Sequence, residues 1–324
     1  AFASFGFCKA HAAAFAMPTY QSAWLKTHYP AAFFSGVLTH DPGMYPKRLI
    51  VDEVRQMGIT IAPLDVNASD SVYRVEDHGN AIRIALSTVA GISDGEVQSI
   101  IAGRPYIDLN DFVRRSGSST PVTESMILTG AFDSLHLDVN RRDLLLHFSD
   151  LQKSPGTAVS GAQMNLGFDP PALISSGLPA MTAAESVKYE VDRLGIDMSR
   201  HMIEFYGEFL NAIGAVRSSD LLKQRSQSSV LVAGIKVAMQ TPPVRSGKRV
   251  IFLTLDDGYG LSDSAFFTDV QSEYANVLYS TSLLLVRGIT RRTGARGISI
   301  RATGAWDLRA AYESWSTKQS TLAI

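Results

Sequence analysis

Val89-Ala90-Gly91-Ile92 and Leu128-Thr129-Gly130-Ala131, the latter running on into Phe132-Asp133-Ser134-Leu135, decide how this chain is read. Each lies between segments of helical character, and each places one glycine where a tight turn needs positive φ. Taken singly, either is an ordinary turn between packed helices. Taken together, they read as two helix-hairpin-helix units in tandem. Such a hairpin glycine lets the backbone approach a phosphate while the following helix offers free N–H groups. A strong hairpin carries a second glycine two positions on, and Ser93 and Phe132 stand there instead.

Outward from the hairpins, the periodicity is helical on both sides. Helices are expected over 10–38, divided by Pro18 and Pro30, and over 46–57, ended by Gly58. Residues 59–66 read as extended, and 72–75 with 81–84 as a hairpin around Asp77-His78-Gly79-Asn80. Helices follow near 94–102, 108–115, 122–129 and 140–149, with Asp108 and Thr123 as N-caps. Residues 150–182, rich in Ser, Gly, Pro and Ala, read as a linker. Helices return at 183–193 and 199–213. From Val230 the period becomes that of strands, at 230–239, 249–256, 261–267, 283–292 and 298–305, with one short helix near 268–276 after the third. That order is the order of an OB-fold barrel; a generic small barrel or an incomplete sandwich is the alternative.

The expected class is therefore α+β and multidomain: 1–85 helical with a small β-hairpin, 86–149 the tandem hairpins, 150–182 the linker, 183–227 a helical connector, 228–309 the OB-fold and 310–324 a tail. A chain of 324 residues, 45% hydrophobic and 19% charged, suits two or three globular domains. The single cysteine, Cys8, excludes an internal disulfide and fits a reducing cytoplasm. No apolar run reaches the ~20 residues of a membrane span, so no membrane partner is expected. The chain opens at Ala1 on what reads as mid-domain sequence, the expectation being a piece of something larger. Net charge is −1, yet residues 86–148 hold five Arg against eight acids and residues 228–309 hold ten Lys or Arg against six. An electrostatic grip on nucleic acid is expected mainly in the last third.

Within that third the cations cluster. Arg245, Lys248 and Arg249 fall in or beside the loop between the first two strands, and Arg291, Arg292 and Arg296 in the loop between the last two. These loops flank the usual ligand face of an OB-fold. Phe252, Phe266 and Phe267 offer stacking surfaces for single-stranded bases, although alternation puts some of them in the core. Arg104, Arg114 and Arg115 could touch a DNA backbone or be ordinary exposed helix charges. Asp256-Asp257, the one pair of adjacent aspartates, precedes Gly258 and reads as a solvated turn.

The run Phe5-Gly6-Phe7-Cys8-Lys9-Ala10-His11-Ala12-Ala13-Ala14-Phe15-Ala16, then Tyr20-Gln21-Ser22-Ala23-Trp24-Leu25-Lys26-Thr27-His28-Tyr29-Pro30, resembles the late fingers region of bacterial C-family, DnaE-type DNA polymerases. Met57-Gly58-Ile59, Pro63-Leu64-Asp65-Val66-Asn67 and Gly130-Ala131-Phe132-Asp133-Ser134-Leu135 continue the match in family order, from residue 2 to about 309. Pro42-Gly43-Met44-Tyr45-Pro46 and Gln240-Thr241-Pro242-Pro243, with Ser246 to Phe252, are most similar to the error-prone ImuC-class branch.

The resemblance implies that Lys9 and His11 face the triphosphate of an incoming nucleotide; without it they read as a surface lysine and a helix histidine. It implies DNA as partner, duplex on the hairpins at Gly91 and Gly130 and single strand on the OB-fold. Gln163-Met164-Asn165-Leu166-Gly167-Phe168 resembles the family's sliding-clamp peptide with Gly167 intruding, so the clamp is a partner either directly or through an ImuB-like accessory protein. The family's catalytic aspartates belong to a palm domain with no counterpart here. Mg²⁺ is implied for the intact polymerase, no cofactor or metal for this chain, and no catalytic residue is assigned. The rival reading is a stand-alone nucleic-acid-binding scaffold of repair or recombination. A zinc-dependent ligase-type enzyme is disfavoured, because one cysteine cannot build its cluster.

Overall fold

The computed structural model describes residues 9–41, 43, 45–153, 173–242, 249–295 and 297–322. It divides into two compact units, Ala1–Ser199 and Arg200–Ile324. Among the described residues no helix is long and apolar enough to cross a membrane.

The first unit opens with α1 (Lys9–His28). Pro18 lies inside it without ending it. It costs the helix one backbone hydrogen bond, and the Ala-rich turns before it supply enough helix propensity to carry through. Pro30 does mark a boundary, as the first residue of α2 (Pro30–His40). After α3 (Lys47–Gln56), Gly58 turns the chain at φ +78°. Of the extended stretch, Thr60–Ala62 forms β1. β2 (Arg74–Glu76) and β3 (Ala81–Arg83) make the expected hairpin, and β3 also pairs in parallel with β1.

Then come α4 (Asp94–Ala102), α5 (Leu109–Arg115, capped by Asp108), α6 (Thr120–Leu128) and α7 (Arg141–Lys153). Thr123 is not a cap. The N-cap of α6 is Ser119, because Pro121 presets the first turn and starts the helix earlier. The Thr123 hydroxyl donates back to the Ser119 carbonyl at 3.0 Å. α7 runs four residues past the expected 149, so the 150–182 stretch is helix to Lys153. Its far end is docked rather than loose. The buried Asp143 carboxylate accepts from the Ser176 N–H at 3.0 Å and the Ser175 hydroxyl at 3.3 Å, and Asn140 donates to the Leu178 carbonyl. Thr182 then caps α8 (Ala183–Leu194) in a capping box with Glu185, which also pairs with Arg142 at 2.8 Å.

Two of the motifs that carry the resemblance, Pro63 to Asn67 and Gly130 to Leu135, are partners in one core. The Val66 N–H donates to the Ala131 carbonyl at 2.8 Å, and the Ser134 hydroxyl to Asp65 at 2.5 Å. Phe112 and Phe132 meet edge to face at 4.9 Å beneath them, among Leu86, Ile100, Leu109 and Met126.

In the second unit the expected helix 199–213 is a 3₁₀ turn, Met202–Tyr206, leading into α9 (Gly207–Ala212). His201 starts it by accepting the Ile203 N–H on Nδ1 at 3.2 Å. The 183–227 connector is therefore shared: α8 belongs to the first unit, while α9 and α10 (Ser218–Leu221) belong to the second. The barrel follows with β4 (Ser229–Gln240), β5 (Ile251–Asp256), β6 (Leu261–Phe266), α11 (Thr268–Ser280), β7 (Leu283–Arg292) and β8 (Ile298–Asp307). It closes in the order β4-β5-β6-β8-β7, with β6 and β8 parallel and the other pairs antiparallel. This is the OB-fold expected from the strand pattern.

Val230, Val232, Leu253, Leu255, Phe266, Leu284, Val286 and Ile300 fill the barrel. Within the stretch expected as a tail, α12 (Leu308–Leu322) packs Leu308, Tyr312 and Trp315 with Phe209 against Ala233, Ile235, Leu283 and Leu285. One side of the barrel's outer surface is thereby covered.

Candidate nucleic-acid interface

The two hairpins have the same turn and different surroundings. In the first, a 3₁₀ turn at Leu86–Thr88 leads through Gly91, at φ +81°, into α4. A Cβ added at Gly91 would meet nothing within 4 Å. The Ala90 N–H is held by the Arg193 carbonyl at 2.8 Å. Ser93 caps α4 in a box with Glu96, whose carboxylate also accepts the Ser119 N–H at 2.9 Å. The N–H groups of Ser119 and Ser93 hold the Glu96 pKa down to about 2. One carboxylate thus ties the N-caps of α4 and α6 together.

Gly130, the second hairpin glycine, has φ +86°. The chain turns several more times before α7 begins at Arg141. The Arg141 guanidinium bonds Asp133 at 2.7 Å and the Leu128 carbonyl at 3.1 Å, and a Cβ at Gly130 would collide with it. Gly91 is open where Gly130 is covered. Of the other arginines in this unit, Arg104 donates to the Val66 carbonyl at 2.8 Å and to Ser69 O. Arg115 bonds Asp111 and the Pro105 carbonyl while lying 4.8 Å over the Tyr106 ring. Arg114 is exposed, 3.9 Å from Asp111. His11 is exposed on α1, edge to face with Phe15 at 4.6 Å. Lys9 is the first residue of α1.

The uncovered side of the barrel carries a groove of 690 Å³, walled by Phe252, Phe267, Ile289, Arg291 and Arg301. Strand register explains its make-up. Phe252 on β5 pairs with Ala265 on β6, Ala265 with Arg301 on β8, and Arg301 with Ile289 on β7, which gives one row across four strands. Alternation sends each of these side chains outward. Phe266, on the opposite face of β6, is wholly buried, so of the three aromatic residues singled out in the sequence two line the groove. Arg301 lies 5.5 Å over the Phe267 ring and 3.3 Å from Asp269. Sequence reasoning passed over Arg301. The signal was its place among the exposed residues of β8, which only the register ties to Phe252.

Arg291 and Arg292, expected in the loop, are instead the last residues of β7, paired with Ser299 and Ile298 of β8, and Arg291 is exposed at the groove. Arg292 is folded back, donating to the carbonyls of Leu222 and Gln224. Arg249 is exposed, and its carbonyl accepts from Gln271. Arg245, Lys248 and Arg296 lie outside the described residues, as do Gln163, Met164, Leu166 and Phe168 of the clamp-like peptide.

Asp256 and Asp257 are not a solvated turn. Both are buried. Asp257 accepts the Ser218 N–H at 2.7 Å, the Ser218 hydroxyl at 2.6 Å and the Tyr259 N–H at 3.0 Å. Asp256 accepts the Gly258 N–H at 3.0 Å and lies 3.5 Å from His201 Nε2. Sequence proximity to Gly258 suggested exposure, but the start of α10 and His201 close over the turn. Carboxylates engaged in this way do not fit a pair of catalytic metal ions.

The helix-hairpin-helix motif family matches residues 58–144. An error-prone DNA polymerase of Symbiobacterium thermophilum is 32% identical, over 92% of this chain and 32% of that one. One from Bdellovibrio bacteriovorus is 30% identical, over 91% and 29%. The DNA polymerase III subunit alpha of Escherichia coli K12 is 29% identical, over 97% and 28%. The chain spans about a third of the length of the curated relatives it matches.

Proposed function

The chain belongs to the bacterial DnaE-type DNA polymerases, and from that premise we propose that it is the DNA-holding part of an error-prone member, gripping single-stranded template in the barrel groove and template-primer duplex at the first hairpin. The groove carries the reading. Two exposed phenyl rings and two guanidiniums, Arg291 and Arg301, line one open channel. Rings stack on any base and guanidiniums neutralise phosphate, so such a channel suits single strands without strong sequence preference.

Duplex contact rests on Gly91, where the backbone is bare. The hairpin would touch phosphates rather than base edges, which suits a polymerase that must accept any sequence. Lys9 and His11 would face the nucleotide triphosphate in the intact enzyme. There Mg²⁺ held by palm carboxylates would supply two-metal nucleotidyl transfer. The error-prone assignment leans on Pro42 to Pro46, on Gln240 to Pro243 and on relatives of that name. The sliding clamp, reached through Gln163 to Phe168 or through an accessory protein, is a further proposed partner.

Anisotropy titrations of this chain with labelled single-stranded and duplex DNA test the reading. Phe252→Ala and Arg291→Ala should weaken single-strand binding and spare duplex. Unchanged single-strand affinity in both variants would remove the groove as the site.

A further inference from the structure

Beside the groove, on the same outer surface, lies a second arrangement of the same kind. Arg287, Ile289 and Arg291 alternate outward along β7, and Trp306 follows Arg301 on β8. Register sets Arg287 opposite Gly304 and Ile289 opposite Arg301. Gly304 is what lets the indole lie down: a Cβ there would sit 2.7 Å from the Trp306 ring. Tyr274 of α11 meets the ring nearly edge-on at 6.0 Å, and Arg287 lies 5.3 Å over it. The indole is thus fixed by a bare strand, a phenol edge and a guanidinium, and it remains 37% exposed.

The pair repeats Arg301 over Phe267 one step further along the barrel. Among the described residues no carboxylate lies within 4.0 Å of Arg287, whereas Arg301 has Asp269. A guanidinium held on an aromatic face loses little further freedom when it binds phosphate. If Trp306 served only to cover the barrel, its face would have no need of a cation without an acidic partner.

We propose that Arg287 and Trp306 form a second nucleotide subsite, continuous with the groove, for the next residues of a single-stranded nucleic acid. Arg287 takes a phosphate and Trp306 supports a base. The inference rests on the groove reading and extends it along β7 and β8, past Ile289.

The test uses the whole chain and labelled oligothymidylates of about 4 and about 12 nucleotides, both within the range of OB-fold site sizes. Arg287→Ala and Trp306→Ala should each weaken the longer oligomer about fivefold or more while leaving the shorter unchanged. Trp306→Phe should restore most of the affinity. Arg287→Ala should flatten the salt slope of the longer oligomer by about 0.7. Should Trp306→Ala not fold, Trp306→Phe still reports, because quenching of tryptophan emission by the longer oligomer should largely vanish in it. If Arg287→Ala and Trp306→Phe leave affinity, slope and quenching as they were while Phe252→Ala weakens both oligomers, the subsite is refuted and the groove stands. If Phe252→Ala and Arg291→Ala are also silent, the groove reading itself fails.

Discussion

The Arg141 guanidinium lies against Gly130, tied to Asp133 and to the Leu128 carbonyl, in the position that beside Gly91 is empty. Two hairpins with the same turn conformation therefore differ in what can reach their backbone. The difference is one arginine at the start of α7.

Substitution should separate the two. Alanine at either glycine is strained by about 1–2 kcal/mol, because a Cβ disfavours positive φ. At Gly91 that is the whole steric cost, and the first unit should melt roughly 2–8 °C lower. At Gly130 the Cβ must also displace Arg141 and break its bonds, so Gly130→Ala should melt lower still. Duplex affinity should fall in Gly91→Val, whose branched side chain fills the open approach. Thermal melts and duplex titrations of the variants check this. Equal melting of the two alanine variants would contradict the role given to Arg141.

Arg291 and Arg292 are neighbours in sequence with different surroundings, one exposed at the groove and the other bonded to carbonyls. Arg291→Ala should lower single-strand affinity and flatten the salt slope by about 0.7. Arg292→Ala should leave that slope alone and cost stability, because it strips the carbonyls of Leu222 and Gln224 of their donor. A salt slope changed equally by both variants would mean that Arg292 leaves its carbonyls to meet DNA.

That contrast marks where sequence reading ends. The barrel was legible because alternating residues such as Val230, Val232, Leu253 and Leu255 announce strands, and one helix after the third fixes their order. Phe252 and Arg291 were legible as chemistry on that frame. Arg301 was not, since its link to Phe252 exists only through the β5-β6-β8 register. The engagement of Asp256 and Asp257 was hidden for the same reason, their partners His201 and Ser218 being some forty residues or more away. Thr123 and Pro18 misled because local propensity was read without the neighbour that overrode it.

Given primed template, nucleotides and Mg²⁺, this chain should extend nothing. The engagement of Asp256 and Asp257 leaves neither carboxylate for metal, and the family's catalytic aspartates have no counterpart in the sequence. Gel-resolved primer extension checks this. Extension that persists through repurification, and is lost in Asp257→Asn, would reverse the assignment of that pair.

The start of α5 should make the first unit acid-sensitive well above the carboxylate range. The Leu109 N–H donates to Nε2 of His136 at 3.1 Å, and Nε2 of His147 meets the Asn110 carboxamide oxygen at 2.6 Å. Burial lowers both histidine pKa values below 6.5, His136 adds to the effect on His147, and Asp108 opposes it at both. The unfolded chain then binds protons at higher pH than the folded one. Stability is complete above about pH 6.5 and falls as the pH drops below it, until the folded-state values are passed. Protonated His136 can no longer accept the Leu109 N–H, so the helix start should loosen first. Thermal melts between about pH 8 and about pH 5.5 should show a declining midpoint. Replacing both histidines with glutamine, which keeps an acceptor and removes the titration, should level that decline. A midpoint constant across this range in the unaltered chain would mean that neither imidazole is protected by the fold.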